Sequence, residues 1–158
     1  AGKQRQAMSI ELENESGIEA PLEQILGVAQ YALEKMHIDS RADIEILLVN
    51  EEVMEQYHLD WMQESGPTDV LSQPIDGLRP GKPNSITPAG HLGLIVLCPQ
   101  VAAKQAETKG HSSLKENLIL VSHSILHLLG YDHAEKEDET EMFALQEEIV
   151  AEYLARNK

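Results

Sequence analysis

From Leu114 to Leu129 the chain reads LKENLILVSHSILHLL, sixteen residues without a glycine or proline, stopped only by Gly130. A run this long and this apolar predicts a helix that the rest of the chain must bury on nearly all sides. Ser113, with Glu116 three residues on, reads as its capping box, and Gly130 as the residue that ends it by taking a positive φ. The flanking segments are of the kind that cover such a helix. Met8 to Asn14 alternates Met8, Ile10 and Leu12 against Ser9, Glu11 and Glu13, the period of a half-buried strand. Pro21 suits a first helical position, and Leu22, Ile25, Leu26, Ala29, Leu33 and Met36 recur at helical spacing. Asp43 to Asn50 is apolar enough for a central strand, after which Asn50 can cap a short acidic helix over Glu51 to Tyr57. Pro74 to Gly90 holds Pro74, Pro80, Pro83, Pro88, Gly77, Gly81 and Gly90, which predicts a long loop without a regular element. His91 to Cys98 reads as a strand, and Pro99 opens a helix that Gly110 ends. A last amphipathic helix, from about Glu139 to Arg156, turns Met142, Leu145, Ile149 and Tyr153 inward. With no internal repeat, the expectation is a single α+β domain around the central helix.

A chain of 158 residues suits one core and is large enough to need no disulfide staple. Cys98 is its only cysteine, so a disulfide within the chain and a cysteine-based zinc knuckle are excluded, and any metal must be held by His and carboxylates. No apolar run reaches the roughly 18 residues of a membrane span and the start lacks a signal-peptide core, so a soluble, cytoplasmic protein is expected. The net charge of -15 repels nucleic acid on average. Its distribution is uneven. Between Gly77 and Lys115 stand Arg79, Lys82, Lys104, Lys109 and Lys115 against Glu107 alone, a local +4 that leaves -19 for the remainder.

The chemistry is concentrated in His123 to His133, HSILHLLGYDH. His123 and His127 are four apart on the predicted helix, so both imidazoles project from one face. A turn at Gly130 lets His133 come back toward them, with Asp132 beside it as a residue that can orient a ligand. Three neutral imidazoles suit one Zn²⁺ per chain and leave a fourth position for water, the arrangement of a catalytic rather than a structural zinc. His37, His58, His91 and His111 show no such spacing. Ser124 stands where the glutamate base of a peptide-cleaving HExxH site would be, which argues against that chemistry.

The HSILHLLGYDH stretch, PTDVLS at Pro67 to Ser72 and MFALQEEI at Met142 to Ile149 together resemble the YbeY family of bacterial metal-dependent endoribonucleases of ribosomal RNA maturation, and LDWM and LRPG resemble its actinobacterial members. The resemblance covers residues 8–158. Ala1 to Ala7 lie outside it and are read as a remnant or a disordered N-terminus. It implies a mixed sheet covered by helices, zinc on His123, His127 and His133 as metal and catalytic residues, single-stranded RNA as substrate, and ribosomal RNA and the small ribosomal subunit as partners. Oligomeric state is not legible. Arg79, Lys82, Lys104 and Lys109 are the candidate phosphate-binding residues on this reading. Two alternatives are a zinc hydrolase of another substrate, such as a peptide, and a ribosome-associated binding protein whose metal is mainly structural. The chain departs from the family pattern at Gln73 (Phe in the family), Leu94 (Asp), Ser124 (Gly) and Met62 (often Arg). Gln73 and Leu94 are expected near the cleft, so a Leu94→Asp, Gln73→Phe revertant is expected to cleave RNA faster. The Gly77 to Lys115 stretch is expected to form the positive rim of the cleft, with the acids of residues 134–158 facing away.

Overall fold

Alternation of apolar and acidic residues gives the first strand one buried face, and its pairing on one side only leaves it at an edge of the sheet. The computed structural model describes residues 9–131 and 135–157. Its elements are β1 (Ser9–Asn14), α1 (Leu22–Lys35), β2 (Asp43–Leu48), α2 (Glu51–Met62), β3 (Val70–Pro74), β4 (His91–Leu97), α3 (Pro99–Lys109), α4 (Ser113–Leu128) and α5 (Lys136–Arg156). The sheet order is β1-β2-β4-β3, with β1, β2 and β4 parallel and β3 antiparallel to β4. This is a single α+β domain with a small mixed sheet, as expected. No helix among the described residues is long and apolar enough to cross a membrane.

Successive strand residues alternate between the two faces. Leu12, Ile46, Ile95 and Ser72 form one row across the ladder, on the face that receives α1, α4 and α5, while α2 packs on the other. Glu11, Glu45, Leu94 and Gln73 form the neighbouring row on the opposite face. On the helix side α4 is the hub: Leu118, Leu120, Val121, Ile125, Leu126 and Leu128 are buried, and α1, α3, α5, β3 and β4 all pack on it. Each such side chain contributes roughly 1.5–3 kcal/mol by leaving water, which is why a helix of this composition has to be central.

The local signals operate largely as read. Asn50 accepts a hydrogen bond from the Val53 N–H at 2.9 Å and caps α2, which runs to Met62, five residues past the expected end. Gly110 ends α3 with φ 78°. Three expectations are corrected. The cap of α4 is Ser112, whose hydroxyl accepts from the Lys115 N–H at 3.1 Å, while Ser113 is already helical. Glu116 leaves the capping box to join Lys109 and His111. Residues 70–74 form β3, although the sequence marks no element over Val70 to Gln73 and predicts that Pro74 opens the loop. Helix α5 starts at Lys136, before Glu139, and buries Met142, Ile149 and Tyr153 with Leu145 partly covered.

Gly130 adopts φ 101°, and a Cβ there would come within 2.9 Å of the Arg79 guanidinium. The positive φ requires glycine, whereas the guanidinium, at the far end of a flexible side chain, can shift aside. Gly130→Ala is expected to lower unfolding free energy by about 1–3 kcal/mol, from the strained backbone. A urea melt against the wild type checks this, and equal midpoints would show that the turn relaxes freely.

Candidate functional site

Helix α4 presents His123 and His127 one turn apart, with ring centroids separated by 6.3 Å and planes 10° from parallel. Both line a cleft of about 430 Å³ whose walls come from α2 (Met62), residues 69–72 at β3, α3 (Lys109), α4 and α5 (Phe143, Gln146). The larger groove between α1 and the end of α5, about 590 Å³, gathers Tyr31, Tyr153 and Arg156 but no imidazole.

Each ring is held from behind. His123 Nδ1 donates to Gln146 Oε1 at 2.9 Å, and His127 Nδ1 donates to the Tyr131 carbonyl at 3.2 Å. A neutral imidazole that donates from Nδ1 carries its lone pair on Nε2, the tautomer of a metal ligand with an oriented outer partner. The donor set therefore fits a borderline cation such as zinc. His133 and Asp132 lie outside the described residues, and among the described residues no three His, Cys, Asp or Glu side chains form a metal-binding group. Cys98 offers no thiolate, because burial pushes its thiol up.

The basic residues fare differently from one another. Lys109 lines the cleft, but its ammonium lies 3.1 Å from Glu116, a carboxylate with 0% side-chain exposure that also meets His111. Lys104 stands in a neighbouring recess with Lys109 and Asp69, paired with Glu51 at 2.9 Å, whose carboxylate holds the ammonium above its ordinary range. Arg79 lies against Gly130, three residues past His127, donating to the Gly77 and Leu78 carbonyls. Lys82 sits in a turn closed by reciprocal bonds with Ser85, next to Gly81, which donates to Met36 at the end of α1. Neither Arg79 nor Lys82 is among the cleft-lining residues. The expected positive rim is thus reduced: one of its lysines reaches the cleft, and that lysine and Lys104 are both compensated. Among the described residues no acid of α5 lines the cleft, and Glu148 and Glu152 pair with Lys35.

Gln73 and Leu94 are not among the cleft-lining residues, which corrects the expectation. Ser72 pairs with Ile95 on the α4 side of the sheet, so by alternation Gln73 turns to the other face, where its ladder partner Leu94 shares a groove with Glu13, Glu45 and Leu47. The Leu94→Asp, Gln73→Phe protein is therefore expected to cleave RNA at the wild-type single-turnover rate at equal metal content; a faster rate would show that the outer face acts on the site. Met62 and Ser124 do line the cleft.

Sequence reasoning missed Gln146, Phe143, Asp69 and the Tyr131 carbonyl as site groups. The available signal for the first two was the MFALQEEI stretch, where Phe143 and Gln146 are three apart and share a helix face.

Comparison with known proteins adds to this geometry. A protein-family model described as endoribonuclease YbeY matches residues 7–154. A protein named endoribonuclease YbeY from Clavibacter sepedonicus is 55% identical over 143 residues, covering 90% of this chain and 94% of that one. Its namesake from Thermobifida fusca is 51% identical over 144 residues, covering 91% and 93%. The solution structure of TM1509 from Thermotoga maritima superposes with a TM-score of 0.64 at 24% identity, covering 93% of this chain and 90% of that one, a likeness of fold.

Proposed function

Because the chain belongs to the endoribonuclease YbeY family, we propose that it is a zinc-dependent, single-strand-specific endoribonuclease that matures ribosomal RNA, working in the cytoplasm with the small ribosomal subunit. The observation that carries the metal part of this reading is the pair of imidazoles on one cleft wall, each anchored through Nδ1. On this reading His123, His127 and His133 hold the ion. Zinc at such a site supplies Lewis acidity toward a phosphate oxygen and brings the acidity of water near neutrality. The chain's own groups do the rest. Gln146 and the Tyr131 carbonyl fix the ring orientations, so no reorganisation is needed when substrate arrives. Asp69, the carboxylate among the described lining residues, is held by the Val70 N–H at 2.7 Å and is the group placed to accept a proton in the cleft. Ser124, buried beside His123, supplies no such base.

Purified protein is expected to carry about one zinc per chain and to cleave a labelled unpaired RNA, with cleavage lost on chelation, restored by zinc and absent on the matching duplex. Undiminished cleavage by metal-stripped protein would overturn the zinc reading. Cleavage of peptides but not RNA would overturn the substrate.

A further inference from the structure

Phe143 is the only phenylalanine in the chain, yet it is 43% exposed rather than part of the core. Isolated exposed apolar residues are common and mean little alone. Phe143 is distinguished by its position. It lines the cleft, its ring centroid lies 6.3 Å from that of His123 with the planes tilted by 37°, and Gln146, three residues on, bonds that same imidazole. Helix α5 thus has two separate stripes: Met142, Ile149, Val150 and Tyr153 enter the core, and Phe143 and Gln146 face the cleft. On α2, Met62 is 51% exposed and lines the same cleft, giving it a second apolar wall.

An oligonucleotide offers two things to a protein, phosphate charge and base faces. The charge side is weak here, because Lys109 and Lys104 are paired with Glu116 and Glu51. The base side is provided for by an exposed aromatic ring beside the imidazoles. We infer that Phe143 is the stacking platform for a nucleobase next to the scissile phosphate, with Met62 closing on the same nucleotide, and that this contact makes the cleft select unpaired RNA. A paired base has both faces covered by its neighbours and cannot offer one to Phe143 without unstacking. The inference rests on the endoribonuclease reading and assigns the group that recognises the substrate.

The test measures both binding, by anisotropy, and single-turnover cleavage, on one set of single-stranded RNA oligonucleotides in which an abasic nucleotide is walked past the cleavage position. Phe143→Leu is expected to weaken binding and raise KM by roughly 5- to 150-fold, with kcat changed much less, while Phe143→Trp keeps wild-type affinity. One abasic position is expected to cost the wild type as much as Phe143→Leu does, and to cost Phe143→Leu almost nothing more, since both changes remove the same contact. Additive losses, or a Phe143→Leu protein with unchanged KM and affinity, would overturn the assignment. Metal content and thermal midpoint of Phe143→Leu are expected to match the wild type, and a fall in either would mean that the ring supports His123 rather than the substrate. A wild type that binds these oligonucleotides without cleaving them overturns the endoribonuclease reading and leaves the Phe143 comparison to be read from affinity. One that does neither overturns both.

Discussion

His127→Ala is expected to reduce RNA cleavage by at least about 10³-fold, since on the proposed zinc reading it removes a ligand of the catalytic metal and with it several kcal/mol of transition-state stabilisation. The fold is expected to survive, because His127 is an exposed position on an otherwise buried helix and its removal leaves no cavity in the core. His123→Ala should be equally inactive. Gln146→Leu is expected to be milder, about 10- to 100-fold weaker in metal affinity, because it removes the group that orients His123 rather than a ligand. Single-turnover rates, zinc content and thermal melts on the three proteins separate these outcomes. A His127→Ala protein with normal zinc content and normal cleavage would remove this residue from the site. One with normal zinc but no cleavage would give it a role in turnover other than holding the ion.

How far the sequence could be read depended on the range over which each signal acts. Asn50, Pro99 and Gly110 were legible because a cap or a turn is decided by a few adjacent residues. Ser112 and Ser113 are both caps by chemistry, and only the geometry of the preceding turn decides between them. Strand β3 is five residues long and ends in a proline, so neither alternation nor length marked it, and its pairing with β4 is set across the intervening loop. The same strand decides which departures from the family pattern matter. Ser72 and Gln73 are neighbours in sequence, yet one faces the cleft and the other the far side of the sheet, a parity that appears only once the register is known. The His pair was legible because four-residue spacing on a helix suffices to bring two rings together. Gln146 and Phe143 arrive from a different helix, and no local pattern shows that α5 docks beside α4 at that height.

Charge was the least legible property, and Glu116 is the reason. It lies one residue beyond the basic stretch counted from Gly77 to Lys115, and folding places it inside, against Lys109 at 3.1 Å and His111. A buried carboxylate needs its partners more than they need it. Lys109, with 51% of its side chain exposed, can return to water, whereas Glu116 at 0% cannot. Lys109→Met is therefore expected to destabilise the fold by about 2 to 3 kcal/mol, less than the loss from a fully dry pair because solvent already screens the lysine. Glu116→Gln keeps the shape, gives up charge-assisted hydrogen bonds and is expected to lose about 1–3 kcal/mol. Its effect on the substrate runs the other way. With Glu116 neutral, the Lys109 ammonium in the cleft is uncompensated and free to neutralise a phosphate, so Glu116→Gln is expected to bind single-stranded RNA more tightly at low salt. The slope of log affinity against log salt should steepen by about 0.7, the value for one added phosphate contact on a single strand. Urea melts and salt-dependent anisotropy on the two variants read both effects. Equal slopes for wild type and Glu116→Gln would show that Lys109 does not reach the backbone, and would leave stacking on Phe143 as the contact that holds RNA in the cleft.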